Sequence, residues 1–391
     1  MRRWSWSGAV EAVFILAALG LALAVRISLL SFKSIDYFNY TKVWYNALKY
    51  AGAEAFAQDF SNYNLPYLYL LYGVVRLLPD LPAVVATKLP SIVADFIAAF
   101  FAYKIVGLRY KTSPLPVLAG FAILFAPTVI LNSAFWGQAD AVYGCALLAA
   151  IYYMLRRKDW LSMLLFGAAM ALKAQAVFLL PIVVVLFLRR RIPWRYALLV
   201  PAVMLVSLIP AWIAGRPLLD LLLIYPAQAG QYQQLTMHAP SALAWIPDTG
   251  RFYPYFYPAS IVVAIAGTLA FILGMARSPS RLTDSLLLET ALISTMLLPF
   301  MLPKMHERYF YVADLLSIIV AFYRPRFYFI PVAMISISFF AYQPTLFASE
   351  PVPIGVLSAG ILCLLAVLAR HALSELYPPA ARGAVETPAV K

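Results

Sequence analysis

The sequence is short of charge and nearly free of cysteine. Of its 391 residues, 12% are charged, two are cysteine and three are histidine, whereas 63% are hydrophobic. An ordinary soluble domain is about half apolar and a quarter charged, so a single water-soluble core is excluded. Cys145 and Cys363 lie in apolar runs without a Cys-X-X-Cys or Cys/His cluster nearby. This argues against a disulfide framework, an iron–sulfur site and a zinc finger.

Nucleotide-binding motifs are missing too. The chain has no P-loop, no Gly-X-Gly-X-X-Gly fingerprint and no Gly-X-Ser-X-Gly serine motif. The formal net charge is +13, but the 30 Lys and Arg residues are spread thinly between apolar runs and form no basic face. We therefore interpret the basic residues as topology markers and expect no nucleic-acid partner.

What the sequence does contain is a series of apolar runs of about 20 residues, each long enough to cross a ~30 Å hydrocarbon layer. The pattern predicts an all-α, polytopic helical membrane protein with about twelve transmembrane helices. The run after Met1-Arg2-Arg3 exceeds the apolar core of a signal peptide and has no convincing cleavage site, so we interpret it as a retained first helix. The predicted helices occupy residues 8–31, 84–106, 115–134, 139–155, 160–172, 174–188, 195–213, 257–275, 283–302, 308–323, 327–343 and 353–370.

The basic residues also orient the helices. With both ends in the cytoplasm, most Lys and Arg fall on the cytoplasmic side, in short loops and in the terminal segments, as the positive-inside rule requires. Residues 64–79 are apolar but short and rich in Tyr. We place them along the outer interface, because a crossing there would move Arg156–Lys158 and Arg189–Arg191 outside. The predicted layout is one transmembrane domain (1–377) with two long outer loops (32–83 and 214–256) and a disordered cytoplasmic tail (378–391).

Two carboxylates stand at the outer membrane surface. Asp36 directly follows the first helix, where it is placed either as a general base or as the cap of an interfacial helix. Asp140 ends the outer turn Trp136-Gly137-Gln138-Ala139-Asp140 and is interpreted either as an acceptor-binding carboxylate or as a helix cap. Together they form a weak candidate for a divalent cation site, because two carboxylates alone bind metal poorly. We therefore expect no metal or other cofactor.

Cations inside apolar stretches need explanation as well. Lys173 lies in such a stretch, where an unpaired charge costs several kcal/mol. Its partner is either a carboxylate such as Asp140 or the phosphate of a ligand. Acids within the predicted helices, such as Asp95, have Arg26 and Lys88 as candidate partners.

The densest polar cluster is Leu302–Tyr309, at the outer end of a predicted helix. Lys304, His306 and Arg308 place three phosphate-binding side chains within five residues, and Glu307 can orient the histidine or the arginine. The alternative is a belt of membrane anchors. The second long loop is rich in amides and aromatic rings, which are the groups that sugars require. The alternative is that this aromatic-rich interfacial loop is purely structural.

The order of these motifs resembles the GT-C superfamily of integral-membrane glycosyltransferases. It is most similar to bacterial proteins related to the GPI mannosyltransferases and the lipid-linked-oligosaccharide glucosyltransferases. The resemblance spans roughly residues 8–325 and is most specific at His306-Glu307-Arg308. Its other motifs are Asp36, Asn62-Tyr63-Asn64-Leu65-Pro66-Tyr67-Leu68-Tyr69, Lys88-Leu89-Pro90-Ser91, Trp136-Gly137-Gln138-Ala139-Asp140 and Leu172-Lys173-Ala174-Gln175.

The resemblance implies a GT-C-like fold with interfacial helices in the first outer loop and specific residue roles. Asp36 would be the catalytic base, and His306, with Arg308, would lie near the donor phosphate. The metal-binding acidic set and large soluble domain of the oligosaccharyltransferase branch are absent here. The expected donor-phosphate ligands are His306, Arg308, Lys304 and Lys173. The expected acceptor or sugar contacts are Asp140, Gln138, Trp136, Asn64, Tyr63, Gln175, Glu307, Gln231, Tyr232 and His238.

The sequence thus predicts an inverting glycosyltransferase of the cytoplasmic membrane. It would transfer one hexose, with mannose as the guess, from a polyprenyl-phosphate-linked donor to a glycan, glycolipid or protein hydroxyl on the periplasmic or external side. The alternative is a transporter or flippase of lipid-linked saccharides. That class usually places its polar site near the membrane midplane between repeated halves, whereas this chain concentrates polar groups on one side and shows no repeat. A non-catalytic membrane scaffold is a third alternative.

Overall fold

The structure is a computed structural model and describes residues 8–226, 233–247 and 250–378. The described chain is almost wholly helical. In chain order the α-helices are α1 (Gly8–Leu29), α2 (Lys42–Ala51), α3 (Leu65–Leu77), α4 (Ala83–Arg109), α5 (Leu115–Leu124), α6 (Pro127–Ile130), α7 (Asp140–Leu155), α8 (Asp159–Leu172), α9 (Leu180–Leu188), α10 (Leu199–Ile213), α11 (Leu218–Leu222), α12 (Tyr253–Arg277), α13 (Asp284–Met301), α14 (Tyr311–Tyr323), α15 (Phe329–Phe347) and α16 (Ile354–Leu376).

Shorter turns extend several of these helices. A π-helical segment, Leu131–Trp136, continues α6, and another, Tyr37–Thr41, precedes α2. The 3-10 segments of the described chain lie next to or between the α-helices: Gly52–Ala57, Ala174–Leu179, Trp194–Leu198, Ala242–Trp245 and Pro325–Phe327.

A helix lies at each of the twelve predicted positions. Seven helices in the described part of the chain are long and apolar enough to cross a membrane, or eight if the bent pair formed by α5 and α6 counts as one span. Four shorter apolar helices, α7, α8, α9 and α14, fill the remaining positions. The prediction of a polytopic helical membrane protein is confirmed, while the orientation of its ends stays a prediction.

The predicted single helix 115–134 is instead broken. Leu115–Leu124 and Pro127–Trp136 meet at 47°. Proline fits the first turn of a helix but cannot donate a backbone hydrogen bond inside one, so Pro127 starts a new helix rather than continuing the old one.

A buried ionic network holds this break against the first helix. The Arg26 guanidinium is fully buried and donates to the Asp95 carboxylate at 2.9 Å and to the Leu124 carbonyl at 3.1 Å. Ser133, in the segment after the break, donates to the same carboxylate at 2.5 Å. Arg26 and Lys88 were the candidate partners for acids within the helices, and the structure pairs Arg26 with Asp95. The network joins α1 and α4 to the segment that leads to Trp136.

The two long outer loops predicted from the sequence, 32–83 and 214–256, are also structured where the chain is described. In the first, α2 and α3 pack on each other, and Leu65, Leu68 and Leu71 of α3 are buried. In the second, strand β1 (Thr236–Met237) pairs in parallel with β2 (Met305–His306), the two strands of one small sheet. The sheet fixes the second long loop to the segment that precedes α14.

Candidate active site

The carboxylate of Asp36 is held by the turn that precedes α7. Its Oδ2 accepts hydrogen bonds from Trp136 Nε1 at 2.9 Å and from Gln138 Nε2 at 2.5 Å. Ser34 donates to the Trp136 carbonyl at 3.0 Å and so ties the two segments together. Asp36 stands at the start of the Tyr37–Thr41 turn, but its side chain does not cap that turn. The helix-cap interpretation is therefore wrong, and the carboxylate is positioned by side chains from elsewhere in the chain.

Lys88 fixes the segment from which Asp36 projects. Its side chain is buried in α4, and Nζ donates to the carbonyl oxygens of Leu29, Leu30 and Phe32 at 3.2, 3.2 and 2.7 Å. The last carbonyls of a helix have no partner within it, and a cation there also interacts favourably with the helix dipole. Lys88 therefore pairs with carbonyl groups at the end of α1 rather than with an acid.

The same segment of α4 supports the other side of the Asp36 site. Ser91 donates to the Gln138 carbonyl at 2.6 Å. Gly137 has φ +83°, and a Cβ at this position would lie 3.2 Å from Cγ of Lys88. Glycine therefore suits both the backbone conformation and the close contact. From the sequence, Ser91 was predicted only as part of a motif, and Lys88 also as a candidate partner for an acid. The signal for another role of Lys88 was a lysine inside a helix with no acid beside it.

A second cluster surrounds Asp140. Lys173 forms an ion pair with its Oδ1, and Asn132 donates to its Oδ2 at 2.9 Å. Arg308 Nε lies 3.6 Å from the same Oδ2. Asp140 is the first residue of α7. The N-cap position before it is Ala139, which makes no side-chain hydrogen bond to the helix. Of the two partners expected for Lys173, the structure thus shows the carboxylate.

The segment between α13 and α14 brings further charge to this cluster. Arg308 Nη1 donates to Glu307 Oε1 at 3.2 Å, and His306 Nδ1 lies 3.8 Å from Glu307 Oε2. The Arg308 guanidinium also lies 5.4 Å from the ring centre of Trp136, which holds Asp36. Arg308 therefore contacts both Asp140 and Trp136, the side chain that donates a hydrogen bond to Asp36.

Burial and these contacts shift the pKa values of His306, Glu307 and Arg308. Burial and the neighbouring Arg308 charge lower the pKa of His306, so its imidazole is neutral at pH 7. Burial alone would raise the pKa of Glu307, but its contact with His306 and the charge of Arg308 hold that pKa below the ordinary value. Burial also opposes the charge of Arg308, yet Glu307 and Asp140 raise the pKa of its guanidinium. Glu307 and Arg308 are both charged at neutral pH.

His238 reaches this region through the small sheet. It forms an antiparallel bridge with His306 directly after β1 and has φ +58°. The prediction placed His238 among sugar-binding residues of the second loop without foreseeing this pairing, because the two positions are far apart in sequence. Gln231 and Tyr232, predicted from the same loop, lie outside the described residues.

Three adjoining spaces open around these residues. The first, which we call the carboxylate cavity, measures about 310 Å³ and is lined by Asp36, Trp44, Gln138, His238 and Glu307 among others. The second, the cationic cavity, measures about 470 Å³ and is lined by residues that include Lys173, Gln175, Lys304 and Tyr309. The two cavities share four lining residues: Asn62, Tyr63, His306 and Arg308.

The third space is an apolar groove of about 220 Å³ beside α3, α10 and α11. It shares Asn64 and Tyr225 with the cationic cavity. The Asn64 amide donates to the Tyr225 hydroxyl at 3.0 Å. Leu65, Leu205 and Leu221 are among its lining residues. The apolar groove therefore adjoins the cationic cavity, which in turn adjoins the carboxylate cavity.

The structure brings most predicted site residues to these spaces. Trp136 and Gln138 bond to Asp36, and Asp140 and Lys173 bond to each other. In the described ranges no three His, Cys, Asp or Glu side chains come together as a metal site. The metal hypothesis for Asp36 and Asp140 therefore gains no third ligand, and independence of metal stays a prediction.

Comparison with solved structures relates the chain to ArnT from Cupriavidus metallidurans, in a crystal structure with undecaprenyl phosphate bound. The TM-score is 0.56 at 14% identity, over 93% of this chain and 78% of that one. No known family model and no curated protein sequence matches. At this identity the likeness shows the fold, and it confirms the expected GT-C-like membrane fold.

Proposed function

We propose that this protein is an inverting glycosyltransferase that moves one sugar from a polyprenyl-phosphate-linked donor to an acceptor hydroxyl on the outer face of the cytoplasmic membrane. The observation that carries the proposal is the adjacency of the carboxylate cavity and the cationic cavity, with His306 and Arg308 in their common wall. Such a pair of cavities suits a base on one side of the reacting sugar carbon and a stabiliser of the leaving phosphate on the other.

The chemistry assigned to the site is a single displacement. The acceptor hydroxyl loses its proton to Asp36 while its oxygen forms a bond to the anomeric carbon of the sugar. The bond between that carbon and the phosphate oxygen breaks, and its electron pair leaves with polyprenyl phosphate. Attack and departure on opposite faces invert the anomeric configuration. Arg308 and Lys304 stabilise the charge that develops on the phosphate.

The surroundings support a lipid-linked donor. The apolar groove meets the cationic cavity at Asn64 and Tyr225, so a chain of isoprene units can lie in the groove while its phosphate enters the cavity. The likeness in fold to ArnT, described with undecaprenyl phosphate bound, supports the same donor class. Aromatic rings of Trp44, Tyr63 and Tyr67 line the carboxylate cavity and suit the apolar face of an acceptor sugar. Mannose, guessed from the family resemblance, is the first sugar to test.

The enzyme class is tested by donor consumption. Purified protein in detergent is given a panel of radiolabelled polyprenyl-phosphate hexoses and pentoses with a membrane glycolipid extract, and EDTA is added to a parallel reaction. We expect transfer or slow donor hydrolysis from one donor, unchanged by EDTA. If no donor is consumed and an intact lipid-linked saccharide moves across the membrane of vesicles that contain the protein, the transporter alternative is favoured instead. Loss of transfer in EDTA would restore the metal hypothesis.

The protonation state of His306 predicts a pH dependence of donor binding. The donor is a phosphodiester whose single charge does not change between about pH 4 and 9, so any pH dependence belongs to the protein. A bound phosphate favours the protonated imidazole and raises the lowered pKa of His306. Protons are then taken up on binding, and donor affinity rises as the pH falls from 7.5 towards 5.5, by roughly three- to tenfold.

Titration calorimetry in two buffers of different ionisation enthalpy measures this proton uptake. His306→Gln keeps a hydrogen-bonding side chain but cannot take up the proton, so its donor affinity should be independent of pH in this range. A pH-independent affinity of the unmodified protein would contradict the assignment. So would a pH dependence that His306→Gln retains.

Lys88 is expected to act on turnover rather than on donor binding. Lys88→Met keeps most of the buried side-chain volume but removes three hydrogen bonds to the end of α1, so Asp36 loses its fixed position. A displacement of about 1 Å lowers turnover by roughly 10²-fold. Lys88 lines none of the three spaces at the site. Steady-state kinetics should therefore show a lower kcat with little change in donor KM.

The matched control is Lys33→Met, since Lys33 is an exposed lysine of the first outer loop, close in sequence to Asp36. It should retain full turnover. A Lys88→Met protein with normal kcat, or one with a raised donor KM alone, would show that Lys88 does not position the base.

A further inference from the structure

A separate cavity of about 1150 Å³ lies at the other end of the helical bundle, around the connection between α4 and α5. Among the residues that the structure describes, it shares none of its lining with the three spaces of the candidate active site. Lys88 of the active-site region and Lys104 of this cavity both belong to α4, and sixteen residues of helix between them amount to about 24 Å. The cavity is therefore a distinct feature, most of a membrane thickness away.

One part of its wall is apolar and continues onto the outer surface of the bundle. Leu155 is buried at the end of α7, whereas Phe14 of α1 and Leu118 of α5 are 44% exposed. In a membrane protein such exposed apolar side chains face acyl chains. This part of the cavity is thus open to the lipid.

The rest of the wall is cationic. Lys104, Lys111 and Arg156 line it, together with the hydroxyl-bearing residues Thr112 and Ser113. A basic pocket between membrane helices, open to lipid on one side, is the kind of site that holds the headgroup of an anionic lipid.

Lys104 differs from an ordinary surface lysine. It is half-buried, and its Nζ lies 5.9 Å from the ring centres of Phe100 and of Tyr152. Within the described ranges no carboxylate lies within 4.0 Å of it. A lysine that only marks topology would extend into water, whereas this one is kept beside the cavity.

Two acids at the margin of the cavity do not cancel its charge. Oδ1 of Asp284 lies 3.8 Å from Nη2 of Arg191, so the arginine compensates the charge of this carboxylate. Glu11 is exposed in the first turn of α1. Lys104, Lys111 and Arg156 leave an excess of positive charge next to an apolar wall, which complements a lipid with an anionic headgroup.

We propose that this cavity binds an anionic phospholipid of the cytoplasmic leaflet, with the lipid phosphate between Lys104, Lys111 and Arg156 and the acyl chains along Leu118 and Phe14. The leaflet follows from the topology predicted by the positive-inside rule. The proposal is independent of the proposed catalytic function, since neither site contributes a residue to the other. It gives the protein a preference for bilayers rich in phosphatidylglycerol or cardiolipin.

The test is lipid binding by native mass spectrometry, with phosphatidylglycerol and phosphatidylcholine of the same acyl chains as probes. We expect one phosphatidylglycerol to bind at least about tenfold more tightly than phosphatidylcholine. The variant Lys104→Gln/Arg156→Gln should lose this preference. The control Lys158→Gln/Arg277→Gln removes two exposed charges predicted on the same side of the membrane, and it should keep the preference.

Two results would overturn the proposal. Equal loss in both double variants would show a diffuse surface effect, and retention of the preference in Lys104→Gln/Arg156→Gln would show that the cavity is not the site. Inorganic phosphate at millimolar concentration should not displace the lipid; displacement would identify free phosphate as the ligand. If the double variant does not fold, Lys111→Gln, at an exposed position, replaces it. This variant should weaken the binding of phosphatidylglycerol and leave the binding of phosphatidylcholine unchanged.

Discussion

Asp36→Asn is expected to lower turnover by roughly 10²- to 10⁴-fold while leaving donor affinity nearly unchanged. The amide is similar in size to the carboxylate and can still contact Trp136 and Gln138, but it cannot accept the acceptor proton. Asp36 lines the carboxylate cavity and not the cationic cavity, so the donor phosphate should bind as before. Initial rates and donor titrations on the same protein preparation separate the two effects.

Asp80→Asn is the matched control for this variant. Asp80 is an exposed acid of the same outer loop and lines none of the three spaces at the site. It should transfer sugar at the unmodified rate. Turnover by Asp36→Asn within a few-fold of the unmodified protein would remove Asp36 from the role of base.

Arg308→Ala is the second large expected effect. Arg308 lies in the wall between the two cavities and is held there by Asp140 and Glu307. Its removal takes away a fixed cation where charge develops on the leaving phosphate, so kcat/KM should fall by roughly 10²- to 10³-fold. Unlike Asp36→Asn, this variant should also bind the donor more weakly.

Because Arg308 also neutralises two acids, a loss of folding has to be separated from a loss of chemistry. Added guanidinium ion can occupy the vacated position and should restore part of the rate in Arg308→Ala. The control Arg251→Met changes an exposed arginine of the second outer loop and should be silent. A well-folded Arg308→Ala protein with normal kcat/KM would show that this arginine does not contact the phosphate.

The fold was predictable because the membrane imposes simple rules on sequence. Runs of about 20 apolar residues and the placement of Lys and Arg were enough to locate twelve helices. The break between α5 and α6 was missed, although Pro127 is visible in the sequence. Proline is tolerated in membrane helices where neighbouring groups satisfy the backbone, so its presence alone does not reveal whether a helix kinks or breaks. Here the carbonyl of Leu124 is bonded by Arg26 from another helix.

The candidate site was predictable as a set of residues but not as a set of contacts. Lys173 was predicted to matter because charge is costly within a bilayer. Asp36 and Asp140 were predicted from their place at the outer membrane surface, and Arg308 from its cluster with Lys304 and His306. Which of them pair depends on packing between helices, and the sequence left the partner of Lys173 undecided.

The supporting residues were harder to predict. Ser91 donates to a single backbone carbonyl, and His238 reaches the site by a bridge to a residue about seventy positions later. Neither contact has a local sequence pattern. Such long-range interactions appear only once the chain is folded.

The most direct test of the central claim is the anomeric configuration of the sugar before and after a single turnover, measured by proton NMR on the isolated product. We predict that the transferred sugar has the configuration opposite to that in the polyprenyl-phosphate donor, with one polyprenyl phosphate released for each sugar transferred. Retention of configuration would contradict a direct displacement assisted by Asp36. Recovery of intact donor on the opposite side of a vesicle, with no bond broken, would contradict the proposed enzyme altogether.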